Sequence, residues 1–284
     1  MLNNAIVVGD LHAGCQLALC PPTIQLMHGG EYHASKFQMV LWDKWRYIWD
    51  VWVPRVTKGE PFAVVLNGDG LDGRHHNSTT QITQNLSDQE NIGYELLAPI
   101  IDQCKGLFYY ISGTAVHAGE AGENEEKLAK RIGVIQDETG NYSRYEMYLD
   151  VGGAHCHFTH HIGVSGSGAY ESTALTKEFN EFCADSAKWG KQRPDVIVRS
   201  HRHRHIEVRV PTDKAYGIIF TTAAWQLKTP FLFRVPGGRT TTPMIGASLI
   251  RQGDEEHFTR HKTWDTARTK TEQPNTEVYY DGYS

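Results

Sequence analysis

Residues 5–12 read AIVVGDLH, and they carry the first clear structural pattern of the chain. A short apolar run rich in β-branched residues ends in Gly9 and Asp10, which is the pattern of a buried strand closed by a turn. Asp10 and His12 then stand where the chain leaves the strand, and both residue types are common metal ligands. The stretch therefore predicts a strand that delivers a functional group at its carboxyl end.

Two later segments repeat this pattern. Residues 62–66 form a second apolar run, followed by NGDGLD at residues 67–72. A third run at residues 107–111 is followed by SGTAVH at residues 112–117. Each predicted strand thus ends in a glycine-containing turn that carries an aspartate or a histidine.

Helical patterns separate these strands. Residues 35–38 (SKFQ) fit a capping box, and apolar positions at helical spacing predict an amphipathic helix that ends around Pro54. Residues 87–90 (SDQE) fit a second capping box, at the start of a helix to about Cys104. A short charged helix is expected over residues 123–132. Alternating strands and helices predict an α/β protein with parallel strands.

The second half of the chain changes to short strands interrupted by one helix over about residues 170–189. The strands are predicted at residues 144–149, 154–159, 196–199, 206–210, 218–221, 245–250 and 257–262. Residues 9–34 and 71–86 are interpreted as loops. We expect a single domain over residues 1–262 and a polar tail over residues 263–284.

Composition excludes several classes of protein. The 284 residues have a net charge of −5 and a pI near 6.3, which do not favour a broad basic face for nucleic acid, although a local patch remains open. Five cysteines without a C-x-x-C pair argue against a disulfide framework and against a four-cysteine zinc site. The N-terminus does not have the pattern of a signal peptide, and no apolar stretch approaches the roughly 20 residues of a membrane span. A cytoplasmic protein that binds no membrane is expected.

Histidine is abundant, with 15 residues, and it clusters within residues 155–161 and 201–205. Imidazole and carboxylate together suit Mn, Fe, Zn, Co or Ni better than Mg or Ca. One aspartate can bridge two ions about 3.5–4 Å apart. Ligands at the carboxyl ends of parallel strands also lie where open α/β sheets bind their ligands.

The order of these segments resembles the calcineurin-like metallophosphoesterase family. The matching motifs are GD-x-H at residues 9–12, GD-x-x-D at 68–72, a Gly-led turn with His at 113–117, a His at 160, and H-x-H at 201–203. The resemblance spans roughly residues 5–225. It implies a β-sandwich of two mixed sheets flanked by helices, and a two-metal site.

The resemblance also implies which residues hold the metals. One ion would be bound by Asp10, His12, Asp69 and His203. The other would share the bridging Asp69 and be bound by His160 and His201, together with one further group. Two divalent transition-metal ions are expected, with Mn favoured.

The third motif departs from the family pattern. The family has Gly-Asn-His there, and its Asn is a metal ligand, whereas here Gly113 is followed by Thr114, with His117 three positions later. This Gly-Thr-x-x-His turn is similar to that of some phage-encoded members. His117 would either replace the missing ligand or act on the substrate, and Thr114 is a weaker candidate ligand because its hydroxyl is neutral.

Several neighbouring side chains have alternative interpretations. His160 is preferred to His161 as the ligand after its strand. His155 and His157 are interpreted as packing or surface positions, and His205 as structural. Asp72 is expected to order the turn or to orient a ligand.

A possible substrate-binding group follows the bridging aspartate. Arg74, His75 and His76 would contact phosphate, for which an arginine offers a bidentate fork. The alternative interpretation of the same stretch is a solvated loop.

The resemblance implies hydrolysis of a phosphate ester by metal-activated water, with Asp69 and His117 as the catalytic residues. The substrate would be a small phosphomonoester or phosphodiester. Two alternatives remain: a nuclease acting on DNA or RNA, which the net charge does not favour, and a non-catalytic protein with a degenerate metal site.

Overall fold

In the computed structural model, two mixed β-sheets lie face to face at the centre of the fold. The structure describes residues 2–75, 77–163, 168–213, 215–235, 238–254 and 256–266. The strands are β1 (Asn4–Val8), β2 (Thr23–Gln25), β3 (Glu31–His33), β4 (Ala63–Asn67), β5 (Phe108–Ile111), β6 (Ser143–Arg144), β7 (Met147–Val151), β8 (Ala154–Phe158), β9 (Val196–Arg199), β10 (Ile206–Thr212), β11 (Ala215–Thr221), β12 (Met244–Gln252) and β13 (His257–Asp265).

The first sheet has the order β13-β12-β1-β4-β5-β6, and the second has the order β10-β11-β9-β8-β7. In the first sheet β1, β4, β5 and β6 run parallel to one another, and β12 is antiparallel to both of its neighbours, β1 and β13. In the second, β8, β9 and β11 run parallel between two antiparallel edge strands. Two mixed sheets, as the resemblance implies, are confirmed.

Helices cover the outer face of each sheet. They are α1 (Lys36–Tyr47), a π-helical segment (Ile48–Trp52), α2 (Val53–Thr57), α3 (Leu86–Gln103), α4 (Ala115–Ala118), α5 (Glu123–Ile132) and α6 (Glu171–Trp189). Among the described residues, no helix is both long and apolar enough to cross a membrane.

Strand β1 shows how the layers are held together. Ala5 and Val7 pack into the apolar layer between the two sheets, whereas Ile6 and Val8 face the helices outside the first sheet. Successive side chains of a strand point to opposite faces, so an unbroken apolar run fits a strand that is covered on both sides. On the far side of the second sheet, Phe179 of α6 is fully buried.

Two helix boundaries differ from the predictions. The Ser35 capping box is confirmed, but the helix does not end at Pro54, which lies in the first turn of α2, where its missing N–H group is not needed. For α3, the predicted Ser87 cap is wrong. Asn85 is the N-cap, and its side chain accepts a hydrogen bond from the Ser87 N–H group.

Three loop and strand predictions also need correction. The predicted loop at residues 9–34 contains the β2–β3 hairpin. The strand predicted at residues 144–149 is two strands, β6 in the first sheet and β7 in the second. Strand β13, predicted over residues 257–262, continues to Asp265. Residues 267–284 of the predicted tail lie outside the described residues.

Candidate metal centre

The ends of the parallel strands β1 and β4 bring Asp10 and Asp69 to one edge of the first sheet. The pairing of the two strands continues into the turns, where the Asp10 N–H group donates to the Gly68 carbonyl at 2.9 Å and the His12 N–H group donates to the Asp69 carbonyl at 3.0 Å. Both aspartate side chains are buried. The register of the sheet therefore fixes the spacing of the two carboxylates.

Left-handed backbone conformations concentrate at this edge. Among the described residues, eight that are not glycine have positive φ, and five of these are predicted metal ligands. They are Asp10 (52°), His12 (46°), Asp69 (50°), His201 (70°) and His203 (54°). This region is sparsely populated by residues other than glycine, and such conformations cluster at functional sites. The turns thus hold the ligands where regular strand geometry would not place them.

Asp10, His12 and His203 form one potential ligand group. Their ligand atoms lie within 4.8 Å of one another. His12 Nε2 is 3.1 Å from His203 Nε2, and His203 Nε2 is 3.4 Å from Asp10 Oδ1. Two imidazole nitrogens and a carboxylate oxygen that converge in this way are suitable donors for a transition-metal ion.

Asp10, Asp69 and His160 form a second group, which shares Asp10 with the first. His160 Nδ1 lies 2.8 Å from the Asn67 carbonyl oxygen. Because a carbonyl only accepts hydrogen bonds, Nδ1 carries a proton, and Nε2 faces Asp69 Oδ2 at 3.1 Å. The contact between Nδ1 and the Asn67 carbonyl is of the kind that fixes the tautomer of a metal-binding histidine.

His160, the adjacent residue His161, and His201 form a third group. The ligand atoms of these three histidines lie within 4.8 Å of one another. Thr114, in the turn after β5, donates its backbone N–H group to Asp69 Oδ1 at 2.7 Å. The Thr114 hydroxyl lies 3.3 Å from His201 Nδ1. All six residues predicted to bind metal therefore lie in one continuous cluster.

Buried polar atoms in this cluster fit bound cations. Asp10 Oδ1 is buried and makes no hydrogen bond within the described protein, and buried His160 Nε2 faces the Asp69 carboxylate. Buried polar atoms are otherwise almost always hydrogen-bonded, so atoms of this kind need an explanation. A metal ion satisfies a carboxylate oxygen and an imidazole nitrogen together, and the donor set here is of the right chemical type.

Asp72 supports the cluster from behind. Its Oδ1 atom lies 3.6 Å from His12 Nδ1, on the side of the ring opposite His203, and Gln81 donates to its Oδ2 at 3.0 Å. Burial favours the neutral acid, but contacts with His12 and His75 hold the pKa of Asp72 well below its usual range. The position matches the predicted role of Asp72 in orienting a ligand.

His117 lies on the short helix α4, which the sequence patterns did not predict. Its Nδ1 atom is 2.6 Å from the Asp72 carbonyl oxygen, and its ring centroid lies 4.6 Å from that of His12. Burial, together with the neighbouring charge of His12, lowers the pKa of His117 to about 4. His117 thus stands on the His12 side of the cluster, away from His160 and His201.

Of the predicted substrate-binding residues, His75 lines the cavity above the cluster and Arg74 does not. His75 lines the cavity above the cluster, and its Nε2 atom is 3.4 Å from Asp72 Oδ1. Arg74 is exposed, and its Nε atom donates to the Gln84 carbonyl at 2.6 Å. The cavity-lining residues do not include Arg74. His76 lies outside the described residues.

The cavity above the cluster has a volume of about 580 Å³ and a lining of both polar and apolar residues. The polar part of the lining includes residues 77–80 (NSTT). The lining also includes apolar side chains, among them Phe231 and Leu232, and the exposed Arg234. The predicted ligands His12, Asp69, His201 and His203 lie in the lining of the same cavity.

Glu125 is a supporting residue that the sequence patterns did not reveal. This buried residue of α5 accepts backbone N–H groups from Gly70 at 2.7 Å and from Gly113 at 2.6 Å. It thereby joins the turns after β4 and β5, which carry Asp69 and Thr114. Burial and the nearby charge of Asp69 raise the pKa of Glu125 to about 7. An acidic first turn in a charged helix has no sequence signal that distinguishes such a role.

Asn67 similarly joins the two sheets. At the end of β4, its side-chain amide donates to the Thr159 carbonyl at 3.0 Å and to Ser200 Oγ at 2.7 Å. These two partners directly precede His160 and His201. The sequence patterns gave no signal for this contribution of Asn67 to the placement of two candidate ligands.

Comparison with known proteins shows low similarity throughout. No protein-family model and no curated protein matches the chain. Similar solved structures include Vps29 from Entamoeba histolytica (12% identity, 93% of this chain and 99% of that chain, TM-score 0.41) and Vps29 from Cryptosporidium parvum (11%, 93% and 98%, TM-score 0.34). Another is the sulfate thiohydrolase SoxB from Thermus thermophilus (12%, 92% and 56%, TM-score 0.41). TM-scores below 0.5 are no evidence for an activity of this chain.

Proposed function

We propose that this chain is a metal-dependent phosphoesterase of the calcineurin-like kind, which hydrolyses phosphate esters at a two-metal site. The observation that supports this most strongly is the sharing of carboxylates. Asp10 belongs to two overlapping ligand groups, and Asp69 belongs to a group with His160 and to another with His12 and His117. Overlapping groups with shared carboxylates are what two adjacent cations need.

In this proposal Asp10, His12, Asp69 and His203 hold one ion, and Asp69, His160 and His201 hold the other. When bound, such ions acidify a water molecule and offset the charge on the phosphoryl oxygens. The residues of the chain fix the donor positions through the strained turns and through Asp72, Asn67 and Glu125. The donors are thus arranged before the substrate arrives.

His117 is assigned to the substrate side. Its Nδ1 atom must carry a proton, because its partner at 2.6 Å is the Asp72 carbonyl oxygen. Nε2 is then the atom that can exchange a proton or a hydrogen bond with the substrate. His117 lies in the cavity lining, so we propose that it stabilises the phosphoryl group or protonates the leaving oxygen.

The cavity walls favour an ester with an organic group of moderate size. Arg234 lines the cavity and would attract the phosphate, since guanidinium groups pair well with phosphate oxygens. Phe231 and Leu232 offer apolar surface to the organic part of the ester. Nucleic acid, if it is a substrate at all, would have to bind without a broad basic surface, because the net charge is −5.

The test is hydrolysis of bis-p-nitrophenyl phosphate and p-nitrophenyl phosphate by metal-stripped protein reloaded with Mn²⁺ or Zn²⁺. Asp69→Asn removes the shared carboxylate charge, and Asp43→Asn changes an exposed aspartate of α1 as the matched control. We expect metal-dependent turnover that the first variant abolishes and the second retains. Protein that holds two metals and hydrolyses neither compound would refute the proposal in favour of a non-catalytic site.

The same assay separates the substrate classes. Preference for the diester supports a phosphodiesterase, and turnover of the monoester alone supports a phosphatase. Single-stranded DNA and RNA are the third substrates. A nuclease should cleave them at a rate that falls steeply with salt, because binding to a polyphosphate releases counterions.

A further inference from the structure

The second ion of the proposed site lacks one donor. The family resemblance implies an asparagine directly after Gly113, but this chain has Thr114 there. Asp69, His160 and His201 leave a further coordination position to be filled if the ion is at least four-coordinate. A protein donor that replaces this asparagine would have to come from another residue near these side chains.

His161 is placed where such a donor is needed. Its ligand nitrogen lies within 4.8 Å of those of His160 and His201. Its ring centroid is 5.0 Å from that of each of these histidines. The Thr114 hydroxyl lies 3.5 Å from His161 Nε2 and 3.4 Å from Asp69 Oδ2, so both side chains adjoin this hydroxyl.

We propose that His161 is a ligand of the second ion and replaces the missing asparagine, an inference that rests on the two-metal site of the proposed function. The ion would then be held by one carboxylate, from Asp69, and by the imidazoles of His160, His161 and His201. The adjacent residues His160 and His161 can both bind the ion because they follow the end of β8 at Phe158. Beyond this point the side chains no longer alternate strictly between opposite faces.

The two other candidates from the sequence are less well placed. His117 groups with His12 and Asp69, and separately with Asp72 and His75, but with neither His160 nor His201. Thr114 contributes its backbone N–H group to Asp69 Oδ1, and its neutral hydroxyl is a hydrogen-bond partner for the histidine rings. We therefore assign Thr114 to positioning these rings and His161 to binding the ion.

This donor set changes the expected metal. Three imidazoles and one carboxylate are richer in nitrogen than a site with an asparagine oxygen. Nitrogen donors favour Zn, Co, Ni and Fe over Mn and Mg. The second position should therefore prefer Zn²⁺ or Co²⁺ to the Mn²⁺ that the sequence alone favours.

The test uses Co²⁺ binding to the metal-stripped full chain, followed by visible absorption and by calorimetry. We expect the unmodified chain to bind two equivalents. His161→Ala should bind the second equivalent at least about tenfold more weakly, because even residues that only support a ligand contribute this much. Its absorption bands for that equivalent should also change. His33→Ala alters an exposed histidine of the β2–β3 hairpin and should match the unmodified chain.

A double variant distinguishes the loss of a metal ligand from a disturbance of the fold by His161→Ala. Thr114→Asn combined with His161→Ala restores the donor type that the family resemblance implies, so it should recover part of the second-site affinity. Circular dichroism establishes that each variant is folded. Two equivalents bound by His161→Ala with unchanged affinity and spectrum would overturn the proposal, and so would a single equivalent in the unmodified chain.

These measurements do not depend on turnover. A chain that binds two ions through His161 but hydrolyses no ester would refute the proposed activity and leave the ligand assignment standing. A chain that hydrolyses esters with an unchanged second site in His161→Ala would do the reverse.

Discussion

His160 Nε2 lies 3.1 Å from Asp69 Oδ2, with the two side chains only 1% and 2% exposed. Burial disfavours the charged imidazole, but the adjacent Asp69 carboxylate outweighs this and raises the pKa of His160 to about 10. The Asn67 carbonyl accepts the other ring proton. In the absence of metal, the two residues therefore form a buried ion pair at neutral pH.

Metal binding should consequently release protons. A metal ion binds only neutral imidazole, and His160 stays protonated as long as the pH lies below about 10. We expect release of about one proton from this residue at pH 7, and an affinity that rises with pH across the neutral range. Calorimetry in buffers of different ionisation enthalpy measures the release. An affinity that does not change between pH 6 and pH 9 would contradict the pairing.

The turn after β5 leaves no room for a side chain at Gly113. A Cβ atom there would meet Asp69 Oδ1 and the Asp69 backbone nitrogen well inside van der Waals contact. Gly113→Ala should therefore displace the shared carboxylate, weaken metal binding and reduce hydrolysis. Gly163→Ala is the control, since a Cβ atom at Gly163 meets none of the described residues within 4 Å. Equal metal affinities in the two variants would show that Asp69 is not held by this turn.

Glu125 should be important for stability because its buried carboxylate accepts backbone hydrogen bonds from both Gly70 and Gly113. Glu125→Gln keeps the shape but replaces one carboxylate oxygen with an amide donor, which then faces the N–H group of Gly70 or Gly113. Leaving a buried donor unsatisfied costs about 1–3 kcal/mol. Urea denaturation of the metal-free protein should show a loss of this size. The exposed Glu138→Gln serves as the control. An unchanged unfolding midpoint would contradict the role of Glu125.

Much of the fold could be predicted because its signals are local. The apolar runs before Asp10 and Asp69 read directly as strands, since strands buried on both faces are continuous apolar segments. Helix α5 was predicted with the bounds that the structure has, Glu123–Ile132. The metal-ligand types stood out because each followed such a run. These features depend only on neighbours along the chain.

The supporting contacts could not be predicted in the same way because they join distant segments. Glu125 meets Gly70 across 55 positions, and Asn67 meets Ser200 across 133. The role of Thr114 and the approach of His161 to His201 also depend on how the turns of the two sheets face each other. A single sequence carries the residue types but not these distances.

Glu207 joins the second sheet to the first, and this link should depend on pH. Its carboxylate lies 2.7 Å from His261 Nε2 of β13 and is also bonded to Thr259 and Arg209. Burial would raise the pKa of Glu207, but these hydrogen bonds lower it to about 2. A lowered pKa stabilises the fold above the unfolded value near 4.5, and this stabilisation is lost as the pH falls towards 2.

Glu207→Gln should therefore destabilise the protein at pH 7, and the difference from the unmodified chain should shrink as the pH falls below about 4.5. Urea denaturation at pH 7, 5 and 4 measures the difference in unfolding free energy. Glu181→Gln, on the exposed face of α6, is the control. A difference that grows on acidification would be opposite to the expected sign.

Arg234 and Arg74 are alternative phosphate-binding residues. Arg234 is indicated by its place in the cavity lining, and Arg74 was predicted from the sequence. Arg234 lines the cavity, so Arg234→Ala should raise KM for a phosphodiester by about tenfold, as expected for a hydrogen bond to a charged group. The value of kcat should change little, because such a contact is made equally in the ground state and in the transition state. Arg55→Ala, on the exposed side of α2, controls for the loss of one positive charge. If Arg74→Ala raises KM while Arg234→Ala does not, the phosphate is bound beside the loop that follows Asp72. The assignment of the phosphate to Arg234 would then be wrong.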